Sequence, residues 1–200
     1  MEHYFTNNPS TKSEFKTIEY KFRDNKFTFI TDNGVFSKSR LDIGSLSLID
    51  AYLKENKSSV EILDMGCGYG TIGIIISKIT GSFVDMVDIN KRSLHLSEMN
   101  IKKNKVNAQA FYSDAYECVS KKYDVIVCNP PIRAGKDKVL EMLKEAKNYL
   151  NENGTLWYVI RKDQGAKSIT KILEEFYKIE NVDKNKGFYI FKAEMRWLIY

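Results

Sequence analysis

The sequence predicts an α/β fold built on a doubly wound, mostly parallel sheet, and three observations carry that expectation. Apolar runs of strand length recur at Val60 to Leu63, Phe83 to Val87, Val106 to Tyr112, Tyr123 to Cys128 and Thr155 to Ile160. Helical patterns near 70 to 80, 91 to 104, 136 to 150 and 165 to 177 separate them, and this alternation marks βαβ units. The chain has 200 residues, 43% of them hydrophobic, enough for one substantial core. A single domain over residues 1–200 is therefore expected, with a β extension over 1–40 and the α/β core over 41–200. No internal repeat, linker or low-complexity segment interrupts it.

The elements follow in order. Residues 17–31 place Ile18, Tyr20 and Phe22, then Phe27 and Phe29, at period two, with Asp24 and Asn25 as a turn signal between them. That pattern predicts a β-hairpin after a loose N-terminus containing Pro9. Asp42 is placed to cap a helix whose Leu46, Ile49 and Leu53 share one face. Beyond the alternating core, Gly187 to Tyr200 is aromatic-rich and alternating, which suits late strands at the sheet edge, one of them antiparallel.

Composition excludes several classes. No stretch approaches 18 uninterrupted apolar residues, and the first 25 lack the basic start and apolar run of a signal peptide, so a cytoplasmic protein is expected. Cys67, Cys118 and Cys128 are odd in number and share no metal spacing, which argues against a disulfide framework and a structural zinc. They read as half-buried thiols, and no metal site is expected. Lysine and arginine number 31 against 26 aspartates and glutamates. That surplus of five permits a nucleic-acid partner without identifying one.

Four motifs then fall at the ends of successive strands. In E-I-L-D-M-G-C-G-Y-G-T-I-G, residues 61–73, an apolar strand ends in Asp64 and a turn with Gly66, Gly68 and Gly70 leads into a helix. Such a turn lets a ligand approach a helix N-terminus closely. Counting from Gly66, Thr71 occupies the third glycine position of the dinucleotide fingerprint, so the loop is shaped for something other than a pyrophosphate. Asp88 ends the second strand, 24 residues after Asp64, where a carboxylate can accept hydrogen bonds from both hydroxyls of a ribose. Asp114 in Y-S-D-A ends the third. The fourth strand runs into C-N-P-P-I-R-A-G-K, residues 128–136, which holds two of the three prolines in the chain.

Taken together, D-M-G-C-G-Y-G, Asp88, S-D-A and N-P-P resemble the ordered motifs of class I S-adenosylmethionine-dependent methyltransferases. The resemblance implies a Rossmann-like, seven-stranded fold and S-adenosylmethionine as cofactor. It assigns the amino-acid part of the cofactor to the loop with Asp64, Gly66, Cys67, Gly68 and Gly70, the ribose to Asp88 with Ile89, and the adenine amino group to Asp114 with Ala115. Asn129 borders both cofactor and target. More narrowly, D-N-G-V-F-S-K-S-R-L-D-I-G-S, residues 32–45, together with N-P-P-I-R-A-G-K is similar to the small-subunit ribosomal RNA guanine-N2 methyltransferase family. Larger bacterial members carry a second, degenerate domain at the N-terminus for which this chain has no room. The resemblance implies RNA, either ribosomal RNA or the small ribosomal subunit, as partner.

The proline pair has a chemical rationale. A residue before proline is held extended and Pro130 lacks an N–H, so Asn129, Pro130 and Pro131 form a stiff rim of acceptors. The side-chain oxygen of Asn129 and the carbonyl of Pro130 can each take one hydrogen of a planar amino group, aiming its nitrogen at a methyl on sulfonium. Positioning of this kind can supply roughly 7–11 kcal/mol. Family members that methylate planar amino groups usually have an aromatic residue after the prolines; here it is Ile132. Phe36 is the candidate to restore the missing stacking, and a core phenylalanine is its plain alternative. Lys38, Arg40, Arg133 and Lys136 flank these motifs and are candidate phosphate contacts. His3 and His95 are the only histidines, and His95 reads as a surface residue. Lys102, Lys103 and Lys105 read as a solvated helix end. Cys128 precedes the prolines, the wrong order for nucleophilic catalysis.

Three functions compete: guanine-N2 methylation of ribosomal RNA; methylation of a protein glutamine or an adenine amino group; and a non-catalytic module that retained the fold. Glutamine enzymes prefer N-P-P-Y and adenine enzymes usually add a recognition domain, features absent here, while a degenerate copy tends to lose the glycine loop or N-P-P.

Overall fold

A computed structural model describes residues 12–56 and 58–196. His3, Pro9 and the last four positions of the expected C-terminal strand region lie outside the described residues. Strands β1 (Lys16–Phe22) and β2 (Asn25–Thr31) pair antiparallel. Arg23 and Asp24 make the turn, with Arg23 at φ 51°, so it falls one residue earlier than expected. The register explains the shift. Ile18 opposite Phe29 and Tyr20 opposite Phe27 bring Phe27 and Phe29 onto the buried face, and Asn25 is then drawn into pairing with Phe22.

The main sheet contains β3 (Glu61–Met65), β4 (Phe83–Asp88), β5 (Ala108–Tyr112), β6 (Tyr123–Cys128), β7 (Leu150–Arg161), β8 (Tyr177–Asn185) and β9 (Phe188–Met195). Their order is β5-β4-β3-β6-β7-β9-β8, parallel throughout except that β9 runs antiparallel to both neighbours. Helices α1 (Ile43–Glu55), α2 (Thr71–Thr80) and α3 (Lys91–Asn104) cover one face, and α4 (Lys136–Glu145) and α5 (Ala166–Leu173) the other. Strand β7 shows why both faces are apolar: Trp157 and Val159 enter the core under α1, while Leu156, Tyr158 and Ile160 enter the core under α4 and α5.

Two helices are shorter than their patterns suggest. The helix expected to reach 177 stops at Leu173, and Tyr177–Asn185 is β8, a strand the periodicity does not isolate. As an edge strand its only buried residue is Tyr177, so its polar sequence carries no apolar run. The helix expected over 136–150 ends at Glu145, and β7 begins at Leu150, five residues before the apolar run starts.

The hairpin is joined to the core by side chains that imitate a strand. Asn100 accepts from the Ile30 N–H at 2.7 Å and donates to its carbonyl at 3.0 Å, and Asn104 does the same with Thr28 at 3.0 and 2.9 Å. Spaced four apart, the two amides lie on one face of α3 and satisfy the open edge of β2. Asn100 also donates to the Tyr69 carbonyl at 2.9 Å, tying the hairpin to the glycine loop. Among the described residues, no helix is long and apolar enough to cross a membrane.

Candidate active site

The chain builds β3, β4 and β5 outward in one direction, then returns to add β6 and β7 on the other side of β3. Open α/β sheets bind ligands where the strand order reverses in this way, beyond the carboxyl ends of the strands. A cavity of about 340 Å³ opens there. Its wall is formed by the glycine loop, the tip of β4, the segment after β5, the N-P-P segment, the start of α1 and Phe36–Ser37 from the hairpin connection.

The loop after β3 is left-handed at Gly66, Gly68 and Gly70, with φ of 72°, 57° and 93°. The N–H groups of Gly66 and Cys67 both donate to the Val87 carbonyl at 2.9 Å, which straps the loop to β4. At Gly70 space is limiting too, since a Cβ there would lie 2.9 Å from Cδ1 of Ile74. Gly66, Cys67 and Gly68 line the cavity, whereas Asp64 and Gly70 lie behind its wall. Asp64 is fully buried; one oxygen accepts from the Gly73 N–H at 2.8 Å and the other has no hydrogen-bond partner. Burial pushes its carboxyl up to about 7, against the Gly73 hydrogen bond and with help from the nearby Asp88 charge.

Asp88 and Ile89 line the cavity. The Asp88 carboxylate accepts from the Gly68 N–H and from the Asn90 N–H, each at 2.8 Å. Crowding by protein raises its pKa, opposed by these donors and the Ile89 N–H. Each oxygen keeps acceptor capacity for a ligand hydroxyl. Asp114 and Ala115 also line the cavity. Asp114 is paired with Lys138 at 2.6 Å, and Lys138 reaches Glu141 at 2.9 Å. Burial pulls the Lys138 ammonium down, but the two carboxylates outweigh it and its pKa is raised. The α4 lysine in the cavity wall is thus Lys138.

Asn129, Pro130 and Pro131 line the cavity at the end of β6. The Asn129 amide nitrogen donates to Asp42 Oδ2 at 3.0 Å and to Ser45 Oγ at 2.9 Å. Asp42 is also the N-cap of α1, accepting from the Ser45 N–H at 2.7 Å, as its sequence position suggests. Ile132 opens a short 3-10 turn and packs on the apolar cluster under α4, away from the cavity wall. Phe36 is 41% exposed and lines the cavity, so it is not a core phenylalanine. Lys38, Arg40, Arg133 and Lys136 are exposed and outside the wall; Lys38 donates to the Asn33 side chain at 3.0 Å.

The thiols differ from the half-buried expectation. Cys67 and Cys128 are buried and Cys118 is exposed. Burial raises the pKa of both Cys67 and Cys128, so each stays a neutral thiol, in keeping with a site that does not use cysteine as nucleophile. His95, Lys102, Lys103 and Lys105 are exposed on α3 and its end. No metal-binding cluster occurs among the described residues. Sequence reasoning missed Asp42 and Ser45 as site residues, and Lys138. Asp42 showed only its capping signal, because its second partner is 87 residues away.

Residues 26–192 match the family model of the methyltransferase small domain. The chain belongs to this family. As a small-domain methyltransferase it is 40% identical to the uncharacterized protein YbxB of Bacillus subtilis (strain 168), over 96% of this chain and 98% of that one. It is 32% identical to ribosomal RNA small subunit methyltransferase C of Haemophilus influenzae (strain PittEE) over 72% of this chain, and spans 44% of that relative's length. The fold superposes with a TM-score of 0.82 and 25% identity on the T. thermophilus 16S rRNA N2 G1207 methyltransferase in complex with AdoMet and guanosine, covering 94% of this chain and 52% of that one. The cavity fits the family's cofactor, S-adenosylmethionine. Its glycine loop leaves room for close approach, and Asp88 retains acceptors suited to a ribose.

Proposed function

We propose that this small-domain methyltransferase is an N-methyltransferase acting on guanine N2 of ribosomal RNA. The observation that carries the reading is that Asn129 and Pro130 line a cavity whose other wall includes Gly66, Cys67 and Gly68. What S-adenosylmethionine supplies when bound is a methyl on a sulfonium whose leaving group is a neutral thioether. Asn129 and the Pro130 carbonyl hold the two amino hydrogens, fix the nitrogen in line with that methyl, and stabilise the positive charge that develops on it. No strong base is required, since the methylated nitrogen is acidic enough to lose a proton to water. Phe36 covers the target base from the hairpin side. The relatives named for small-subunit ribosomal RNA, and the structural neighbour's guanosine complex, support guanine as the target.

The RNA backbone is met by exposed cations around the mouth. Lys38 and Arg40 lie on one flank and Arg133 and Lys136 on another, while Arg161, Lys162, Lys184 and Lys186 are exposed at the end of β7 and the β8–β9 turn, on the same sheet edge. The chain works as one catalytic unit in the cytoplasm, the connection after β2 carrying Phe36 to the mouth. The test is methyl transfer from labelled S-adenosylmethionine to 16S ribosomal RNA and to assembled small subunits, followed by nucleoside mass spectrometry. N2-methylguanosine is the expected product. Label found only in protein, or in N6-methyladenosine, would replace this reading with the glutamine or adenine alternative.

A further inference from the structure

We propose that Asp42 and Ser45 are positioning residues that lock the Asn129 amide with its oxygen toward the target, and thereby restrict the site to targets that donate hydrogens from a planar NH2 group. The inference deepens the methyltransferase reading above and rests on it. An asparagine amide is nearly symmetric in shape but not in chemistry: turned by half a rotation, it presents donors where it had presented an acceptor. Asp42 settles which way it points. A carboxylate only accepts, so the atom 3.0 Å from Asp42 Oδ2 must be the amide nitrogen, and Ser45 Oγ at 2.9 Å takes the other hydrogen. Both amide hydrogens are thus consumed inside the protein, and only an acceptor remains for the cavity.

The lock is itself held. Asp42 Oδ2 is fixed by the Ser45 N–H at 2.7 Å, and Ser45 is 6% exposed. The start of α1 is seated against the β8–β9 hairpin so closely that a Cβ on Gly44 would lie 2.8 Å from Cε1 of Phe188 and 3.0 Å from Asp42 Oδ2. A released Asn129 could flip and oppose its NH2 to the target's NH2. A locked one gives a carbonyl or unprotonated ring nitrogen on the target nothing to bind. The helix cap therefore selects the chemical class of substrate from outside the reacting atoms.

The test is a swap. Asn129→Asp places two carboxylates at hydrogen-bond distance, and adding Asp42→Asn restores a donor–acceptor pair with the polarity reversed, leaving an oxygen facing the target. Asp42 Oδ2 also accepts the Ser45 N–H, so an amide nitrogen turned to that place gives up the cap bond, and denaturant unfolding of the double variant separates that loss of stability from the rate. With 16S ribosomal RNA as probe at saturating S-adenosylmethionine, Asn129→Asp should lower the single-turnover rate by roughly 100-fold or more. The double variant, whose net charge equals that of the wild type, should recover at least about 10-fold of that loss with cofactor affinity unchanged. A second arm needs no substrate: in 15N-labelled protein, hydrogen exchange of the Asn129 side-chain NH2 should be slow, and Ser45→Ala should accelerate it. Losses that simply multiply in the double variant overturn the lock, as do Asn129 amide protons that exchange like those of an exposed asparagine. If the wild type methylates no guanine N2, the functional reading fails, while the exchange arm still decides whether the amide is locked.

Discussion

Asp88 and Asn129 stand at the ends of strands on either side of β3, and they are held by different kinds of partner. Asp88 is fixed by backbone N–H groups within two and twenty residues of it, whereas Asn129 is fixed by side chains 84 and 87 residues away. In the proposed reading, the cofactor half of the cavity is therefore set by loop conformation and the target half by long-range side-chain contacts. The difference teaches where damage should appear: backbone changes on the first half reach affinity and stability, and side-chain changes on the second reach the rate.

The largest expected effect breaks the target half alone. Asn129→Ala removes an acceptor used chiefly in the transition state and should cost roughly 10²–10³ in single-turnover rate. An undiminished rate would remove Asn129 from the chemistry. Next is the loop. Gly70→Val forces a β-branched residue to φ 93° and against Ile74, a backbone cost of about 1–3 kcal/mol before the clash is counted. Denaturant unfolding should show at least that loss, together with weaker cofactor binding. Unchanged stability would mean that the loop is not conformationally demanding.

A subtler test uses pH. Asp64 is raised to about 7 from about 3.9 in an unfolded chain, so the folded state binds the extra proton. The stability this gives is complete below about pH 4 and is lost as pH rises through about 7. Asp64→Asn keeps the Gly73 acceptor and removes the titration. Relative to wild type, its denaturant midpoint should improve on going from pH 5 to pH 8, and parallel profiles would show that Asp64 does not titrate there. The smallest expected effect concerns the rim. Replacing Arg133 and Lys136 by alanine should reduce the salt slope of binding to single-stranded ribosomal RNA by about 0.7 per lost phosphate contact, leaving cofactor affinity intact. Equal slopes would place the phosphate contacts elsewhere, with Arg161, Lys162, Lys184 and Lys186 the next group to vary.

The same division explains what was legible beforehand. Glycine spacing, the acid ending β4 and the N-P-P segment are local signals, because a turn or a strand end is made by neighbours in sequence; Gly66, Gly68, Asp88, Asp114 and Asn129, named from them, line one cavity. The places of the central strands along the chain followed from the apolar runs, since a sheet covered on both faces keeps its strands mostly apolar. Contacts that cross the chain left no such trace. Asn100 and Asn104 looked like part of a polar helix, yet they complete the edge of β2. Lys138 was not singled out, because its partner Asp114 lies 24 residues away and only the placing of α4 in the fold brings the two together. Strand β8 was hidden by its exposure, and the partly buried packing of Ile132 against the α4 cluster by the short turn that sets it there.

The most direct measurement compares Asp88→Ala with Asn129→Ala, taking S-adenosylmethionine affinity by calorimetry and the single-turnover methylation rate at saturating cofactor on one set of RNA samples. Asp88→Ala should weaken cofactor binding by about 1.5–3 kcal/mol and recover most of the wild-type rate once saturated. Asn129→Ala should bind cofactor like the wild type and stay slow at every concentration. The division between the two halves would be contradicted by an Asp88 variant that remains slow at saturation, or by an Asn129 variant whose defect disappears when more cofactor is added.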